Sequence, residues 1–231
     1  MRLECIYETR HGSIEKTAIE WDQCVAIGYS GRDQKGVMAH INELRAIGVP
    51  TPEKVPSMYW IDPEHISNGA ILYVVGGSCS GEVEFFAARD RSGDVFVTVA
   101  SDHTDRQLET VSVSKAKQGC TKILAPIFWK LSDVRHHWDD IMIRSWVREA
   151  PDKEERLYQE GPLSNLLPPE KLYELAVEDR INNGAIAYFS GTVPTIGEIC
   201  YKGSFRIEME DSVLGRKIKH IYTACELPDR N

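Results

Sequence analysis

The stretch GEVEFFAARDRSGDVFVTVASD, residues 81–102, decides the fold. GEVEFFAA and DVFVTVAS read as two strands, rich in Val and Phe and separated by the turn residues Ser92 and Gly93. DVFVTVA is almost continuously apolar, which predicts a central strand buried on both faces. Glu82 and Glu84 stand two residues apart, so strand geometry points both carboxylates to one face, beside Phe86 and Ala88. Two like charges about 7 Å apart on a largely apolar face raise each other's pKa unless a cation lies between them. Exposed carboxylates and cation ligands are the two readings of this pair. Asp102 closes the second strand, where it is either an ordinary strand-end residue or a third ligand. Three convergent carboxylates are the hard oxygen set that suits Mg²⁺ or Mn²⁺.

Outward from this hairpin, strand patterns continue. AILYVV precedes it, and IMIRSWV, GAIAYFSG, SFRIEME and KIKHIYTA follow. In SFRIEME, Glu208 and Glu210 repeat the spacing of the first pair, but Arg206 continues their face, which predicts a solvated surface. QKGVMAHINELRAIG places Val37, Ile41 and Leu44 at helical spacing and ends at Gly48 before Pro50. The prolines around SMYWID impose an extended connection. Helical pattern is sparse thereafter, PPEKLYELAVEDR being the best case, with Leu172, Leu175 and Ala176 on one face. Residues 1–32 supply two short strands, near Leu3 to Tyr7 and Gln23 to Tyr29, and read as a small N-terminal subdomain or lead-in to a main domain over residues 33–231. The fold class expected is mixed α/β, rich in β, with a few peripheral helices.

Composition narrows the function classes. The chain has 231 residues, enough for one substantial core, and a formal net charge of -8 with no run of Lys and Arg. Phosphate neutralisation needs the opposite balance, which argues against nucleic acid and anionic membrane partners and for a small molecule. The six cysteines lie far apart, with no C-x-x-C pair, and are expected as reduced thiols. The opening MRLECIYETRHGS lacks a signal peptide's apolar core, and no apolar stretch approaches the roughly 20 residues that span a bilayer, so a cytoplasmic protein is expected. No G-x-S-x-G elbow, Walker A loop or dinucleotide fingerprint occurs.

Two further groups carry potential chemistry. His40 and Glu43 are i, i+3 neighbours on the predicted helix: a surface pair, or an imidazole oriented by a carboxylate as a general base. Lys117, in SVSKAKQGCTK, is a solvated loop charge or a site residue, with Lys115 and Lys122 competing for the role. His103 alternates away from Asp102.

In order along the chain, these pieces resemble the fumarylacetoacetate hydrolase superfamily, whose members act on 2-oxo and β-dicarbonyl acids with a divalent metal. The family's H-x-x-E helix and proline-rich stretch is similar to MAHINELRAIGVPTPEKVP, and its E-x-E strand to GEVEFF. Its D-x-S-A-R-D-x-Q segment resembles DHTDRQLE, its lysine-turn-proline segment KQGCTKILAPIFW, and its T-G-T-P-x-G-x-G loop SGTVPTIG. The interval from Glu84 to Asp102 is shorter than the family's, as though a helix between the strands were absent. The resemblance implies a rolled β-sheet, usually in a homodimer, with Glu82, Glu84 and Asp102 on Mg²⁺ or Mn²⁺. It further implies His40 and Glu43 as a water-activating dyad, Lys117 as a catalytic residue, and Arg106, Thr121 and Thr192 as substrate contacts. The reaction expected first is hydrolytic C–C cleavage of a small 2-oxo acid, with decarboxylation, tautomerisation or ligand binding alone as alternatives.

Overall fold

The computed structural model describes residues 1–46, 51–90 and 92–230; the side chains of His40 and Leu44 lie outside the described residues. Strands β1 (Arg2–Glu8), β2 (Ile14–Glu20) and β3 (Gln23–Gly28) precede helix α1 (Gln34–Ala46). Then come β4 (Ser57–Ile61), β5 (Ile66–Ser67), β6 (Ile71–Val75) and β7 (Cys79–Ser80), and the hairpin β8 (Val83–Arg89) and β9 (Val95–Ser101). Strand β10 (Thr104–Asp105) leads into helices α2 (Arg106–Glu109) and α3 (Val113–Gln118), followed by β11 (Lys122–Leu124), β12 (Ile127–Lys130) and α4 (Leu131–Val134). The chain finishes with β13 (Met142–Arg148), β14 (Arg156–Pro162), α5 (Pro169–Glu178), β15 (Ile186–Phe189), β16 (Gly203–Asp211) and β17 (Arg216–Leu227).

A ten-stranded mixed sheet runs β2-β1-β12-β9-β8-β15-β3-β4, with β11 added to β9 and β5 to β11. β1 pairs with β12 and β3 lies between β15 and β4, so residues 1–32 contribute three strands to this sheet. A second sheet of five strands, β14-β13-β16-β17-β6, packs against it. Alternation along β8 and β9 feeds two cores. Val83, Phe85, Ala87, Val97 and Val99 meet the inner face of the five-stranded sheet through Ile143, Phe205, Ile207 and Tyr222. Phe86, Ala88, Phe96 and Ala100 face the other way, and join Leu3, Ile19, Trp21, Ala26, Phe128 and Phe189. Every described member of this second core but Trp21 belongs to a strand of the ten-stranded sheet, so the sheet rolls around it. Fully burying one such side chain contributes about 1.5–3 kcal/mol. The β-rich rolled fold is thus the one expected, and DVFVTVA is its buried central strand.

The hairpin turn between Asp90 and Asp94 is tight, with the Asp90 N–H donating to the Asp94 carbonyl at 2.8 Å. Among the described residues no helix lies between Glu84 and Asp102. In α1, Ile41 is buried and Met38 exposed; its expected end at Gly48 lies outside the described residues. In α5, Leu172 and Ala176 are buried as their spacing requires. Helices α2 and α3 are too short for their periodicity to show in sequence. No helix among the described residues is long and apolar enough to cross a membrane.

One expectation is overturned. Glu208 does not lie on a solvated face: it is 4% exposed, paired with Arg206 and, at 3.1 Å, with Lys217 across the β16–β17 ladder. The Arg206 guanidinium stacks 3.5 Å from the centre of the Trp146 ring on β13 and roofs the pair. Arg206 shares Glu208's own strand, but Lys217 and Trp146, which complete the cover, sit on the neighbouring strands β17 and β13, and one strand's alternation cannot report them.

Candidate metal centre

The β8–β9 hairpin assembles the carboxylates at its open end. Glu82 immediately precedes β8 and Asp102 immediately follows β9, and the Asp102 N–H donates to the Glu82 carbonyl at 2.9 Å. The register pairs Val83 with Ser101 and Glu84 with Ala100, which aligns all three side chains. One oxygen from each of Glu82, Glu84 and Asp102 lies within 4.8 Å of the others. Glu84 and Asp102 are buried, whereas the Glu82 side chain keeps 19% of its exposure and opens the site to solvent.

Three cations face this cluster. Helix α3, capped by the Ser112 hydroxyl, carries Lys117 inward; its Nζ lies 2.5 Å from Asp102 Oδ2 and 3.4 Å from Glu82 Oε2. Lys122, fully buried at the start of β11, reaches Asp102 Oδ1 at 2.7 Å and donates to the carbonyls of His103 and Lys117. Arg106 spans Glu82 and Glu109, both at 3.0 Å, while its Nε is buried without a hydrogen-bond partner among the described residues. Burial works against the Asp102 charge, but Lys117 and Lys122 outweigh it and hold its pKa below the ordinary carboxylate range. Burial likewise opposes Glu82, and Arg106 and Lys117 keep its pKa low. Asp102 and Glu82 overcome the burial of Lys117 and hold its ammonium charged.

Glu84 is different. Burial, then Asp102 and Glu82, push its pKa well above the usual value. Its contact is the Gly191 N–H, which donates to Oε2 at 2.8 Å, and no lysine or arginine pairs with it among the described residues. A buried carboxylate beside two ionised ones is relieved by a cation. The all-oxygen donor set and this uncompensated charge fit a hard divalent ion.

The third wall is the loop after β15. Gly191 adopts φ +84°, and a Cβ there would stand 2.2 Å from Ser30 Oγ, so this position requires glycine. Thr192 Oγ1 donates to the Val83 carbonyl at 2.7 Å and accepts from Gln159 Nε2 at 2.8 Å. Gln159 Oε1 accepts the Val83 N–H at 2.8 Å. Buried Gln159 thereby fastens the Thr192 loop to the residue between the two glutamates.

Of the residues singled out in sequence, Glu82, Glu84, Asp102, Arg106, Lys117 and Thr192 come together. Thr121 is half-buried beside Lys122, with no side-chain hydrogen bond to the cluster among the described residues. Glu43 is exposed on α1, and the His40 side chain lies outside the described residues. His103 turns away, as its alternation implies, and its Nε2 meets Tyr222 OH at 2.7 Å. Sequence reasoning did not single out Gln159, which has no local signal, and named Lys122 only as a competitor of Lys117.

Residues 27–222 match the family described as Protein of unknown function (DUF2848). No curated protein is significantly similar in sequence. Among solved structures, Cg1458 with an inhibitor is similar at 15% identity, over 98% of this chain and 90% of that one, with a TM-score of 0.65. So is 2-keto-3-deoxy-D-arabinonate dehydratase with magnesium and 2,5-dioxopentanoate, at 15% identity, 94% and 77% coverage and a TM-score of 0.63. The 4-oxalocrotonate decarboxylase of Pseudomonas putida G7, with magnesium and adipate, is similar at 12% identity, 90% and 79% coverage and a TM-score of 0.56. These likenesses establish the fold.

Proposed function

From a chain that belongs to the DUF2848 family and has the fumarylacetoacetate hydrolase fold, we infer a divalent-cation-dependent enzyme acting on a small 2-oxo or β-dicarbonyl acid. The observation that carries this reading is the carboxylate trio with an uncompensated Glu84, faced by a buried lysine in the same space. The magnesium and 2,5-dioxopentanoate named for the similar dehydratase support it.

Glu82, Glu84 and Asp102 would hold Mg²⁺ or Mn²⁺, which would supply Lewis-acid chemistry to the oxygens of a 2-oxo acid. Lys117, kept charged by Asp102 and Glu82, stabilises negative charge developing on an enolate oxygen. Arg106 offers its unpartnered Nε to a substrate carboxylate, and the Gly191 N–H and Gln159 keep the glutamates in place. Thr121 and Thr192 bound the substrate space. C–C bond hydrolysis follows if His40, oriented by Glu43, deprotonates a water. Decarboxylation or tautomerisation is the second reading, favoured by Lys117 and Arg106, the two charged groups on solvent-facing Glu82, which would hold an enolate without delivering water.

A screen of acylpyruvates, oxaloacetate and related diketo acids with Mg²⁺ or Mn²⁺ and product identification tests this. Turnover lost on chelation and in a folded Lys117→Ala variant supports the enzyme. Metal binding that leaves every 2-oxo acid unchanged would reduce the protein to a binding relative.

A further inference from the structure

Cys79 and Cys120 are 41 positions apart in the chain, yet their sulfurs meet at 2.8 Å in the interior. Both are free thiols and almost fully buried, at 2% and 1% exposure. No other sulfur pair is in contact among the described residues. Cys79 lies on β7, held against β10 opposite Asp105, three residues before Glu82. Cys120 follows the C-terminal end of α3, three residues after Lys117. The segment between the two sulfurs contains Glu82, Glu84, Asp102, Arg106 and Lys117. Small side-chain rotations separate the observed contact from the S–S bond length of about 2.05 Å. The shared hydrogen bond also holds the Cys120 thiol below its ordinary range and pushes the Cys79 thiol up.

We propose that Cys79 and Cys120 form an oxidisable dithiol which a peroxide converts into an intramolecular disulfide, closing a covalent loop around the carboxylate–lysine cluster. In the first step the Cys120 sulfur attacks one oxygen of hydrogen peroxide. The O–O bond breaks, one water leaves, and Cys120 becomes a sulfenic acid. The Cys79 sulfur then attacks Cys120 Sγ, the S–O bond breaks, and the departing hydroxide takes the Cys79 proton as a second water. The two thiols lose two electrons and two protons, which the peroxide accepts. A small-molecule thiol reverses the change by exchange.

The test uses the full-length reduced chain treated with hydrogen peroxide, quenched, denatured, alkylated and mapped by mass spectrometry. Expected are a loss of two hydrogens in the intact mass, a peptide joining Cys79 to Cys120, alkylation of the other four of the six cysteines, and reversal by dithiothreitol. The oxidised chain melts about 5 °C or more above the reduced one, because the closed loop is long. Cys79→Ala and Cys120→Ala each abolish the cross-linked peptide and the Tm rise; if either fails to fold, the wild-type peptide map decides alone. All six thiols alkylated after a peroxide dose that oxidises exposed methionine overturns the proposal, as does sulfinic acid at Cys120 with Cys79 unbonded. No arm reads turnover, so the outcome stands apart from the catalytic reading.

Discussion

The Asp102 N–H donates to the Glu82 carbonyl over 2.9 Å, and this one main-chain bond joins two carboxylates that lie on opposite strands of the hairpin. The pair then shares Lys117, at 2.5 Å from Asp102 and 3.4 Å from Glu82. The backbone draws this site together, and its response to a cation can be measured.

Mg²⁺ or Mn²⁺ should stabilise the folded chain. At a hundred times the dissociation constant the gain is about 2.7 kcal/mol, seen as a rise in Tm that EDTA reverses. Glu84→Gln removes most of that rise, because it deletes the ligand whose charge lacks a partner. A Tm indifferent to both metals and chelator refutes the centre.

Lys122→Met should destabilise the fold by about 3–5 kcal/mol, since buried Asp102 loses one of its two ammonium partners and the His103 and Lys117 carbonyls lose a donor. Asp102→Asn in the same chain recovers part of the loss, because the carboxylate that has lost Lys122 is then neutral. Urea denaturation of the two single variants and the double variant measures the coupling, and strictly additive losses contradict it.

Gly191→Ala should cost about 1–2 kcal/mol for the left-handed backbone alone, and more for the contact with Ser30. The backbone shift that relieves this contact moves the residue-191 N–H off Glu84 and lowers divalent-cation affinity at least several-fold. Calorimetric titration of the variant checks the affinity, and wild-type values would show that this loop does not set the site.

His103 should make stability fall in mild acid. Burial, helped by Lys122, pushes its pKa down to about 3, whereas the unfolded chain protonates near 6.5. The unfolded state binds the extra proton between those values, so stability drops as pH falls through 6.5 and the loss is complete below about 3. From pH 7.5 to 5 this amounts to about 2 kcal/mol. Urea midpoints at both pH values should show this drop in the wild type and a smaller one in His103→Gln; equal drops assign the acid sensitivity elsewhere.

Sequence alone determined the strands and the direction of their side chains. Alternation along GEVEFFAA and DVFVTVAS follows from the two-residue period of an extended backbone, so the shared face of Glu82 and Glu84 was legible without a fold. The order of short motifs carried the rolled sheet. The tertiary structure decided what each charged group meets. Glu82 and Glu208 belong to pairs with the same spacing, yet Glu82 opens onto a site while Glu208 lies under Arg206 and Lys217. Lys117 and Lys122 became buried partners of one aspartate, Gln159 became the clamp on Val83, and two remote cysteines came into contact. Periodicity is a local property of a few consecutive residues, whereas these contacts join separate elements, up to 76 positions apart in the Val83–Gln159 pair, and exist only once those elements have packed together.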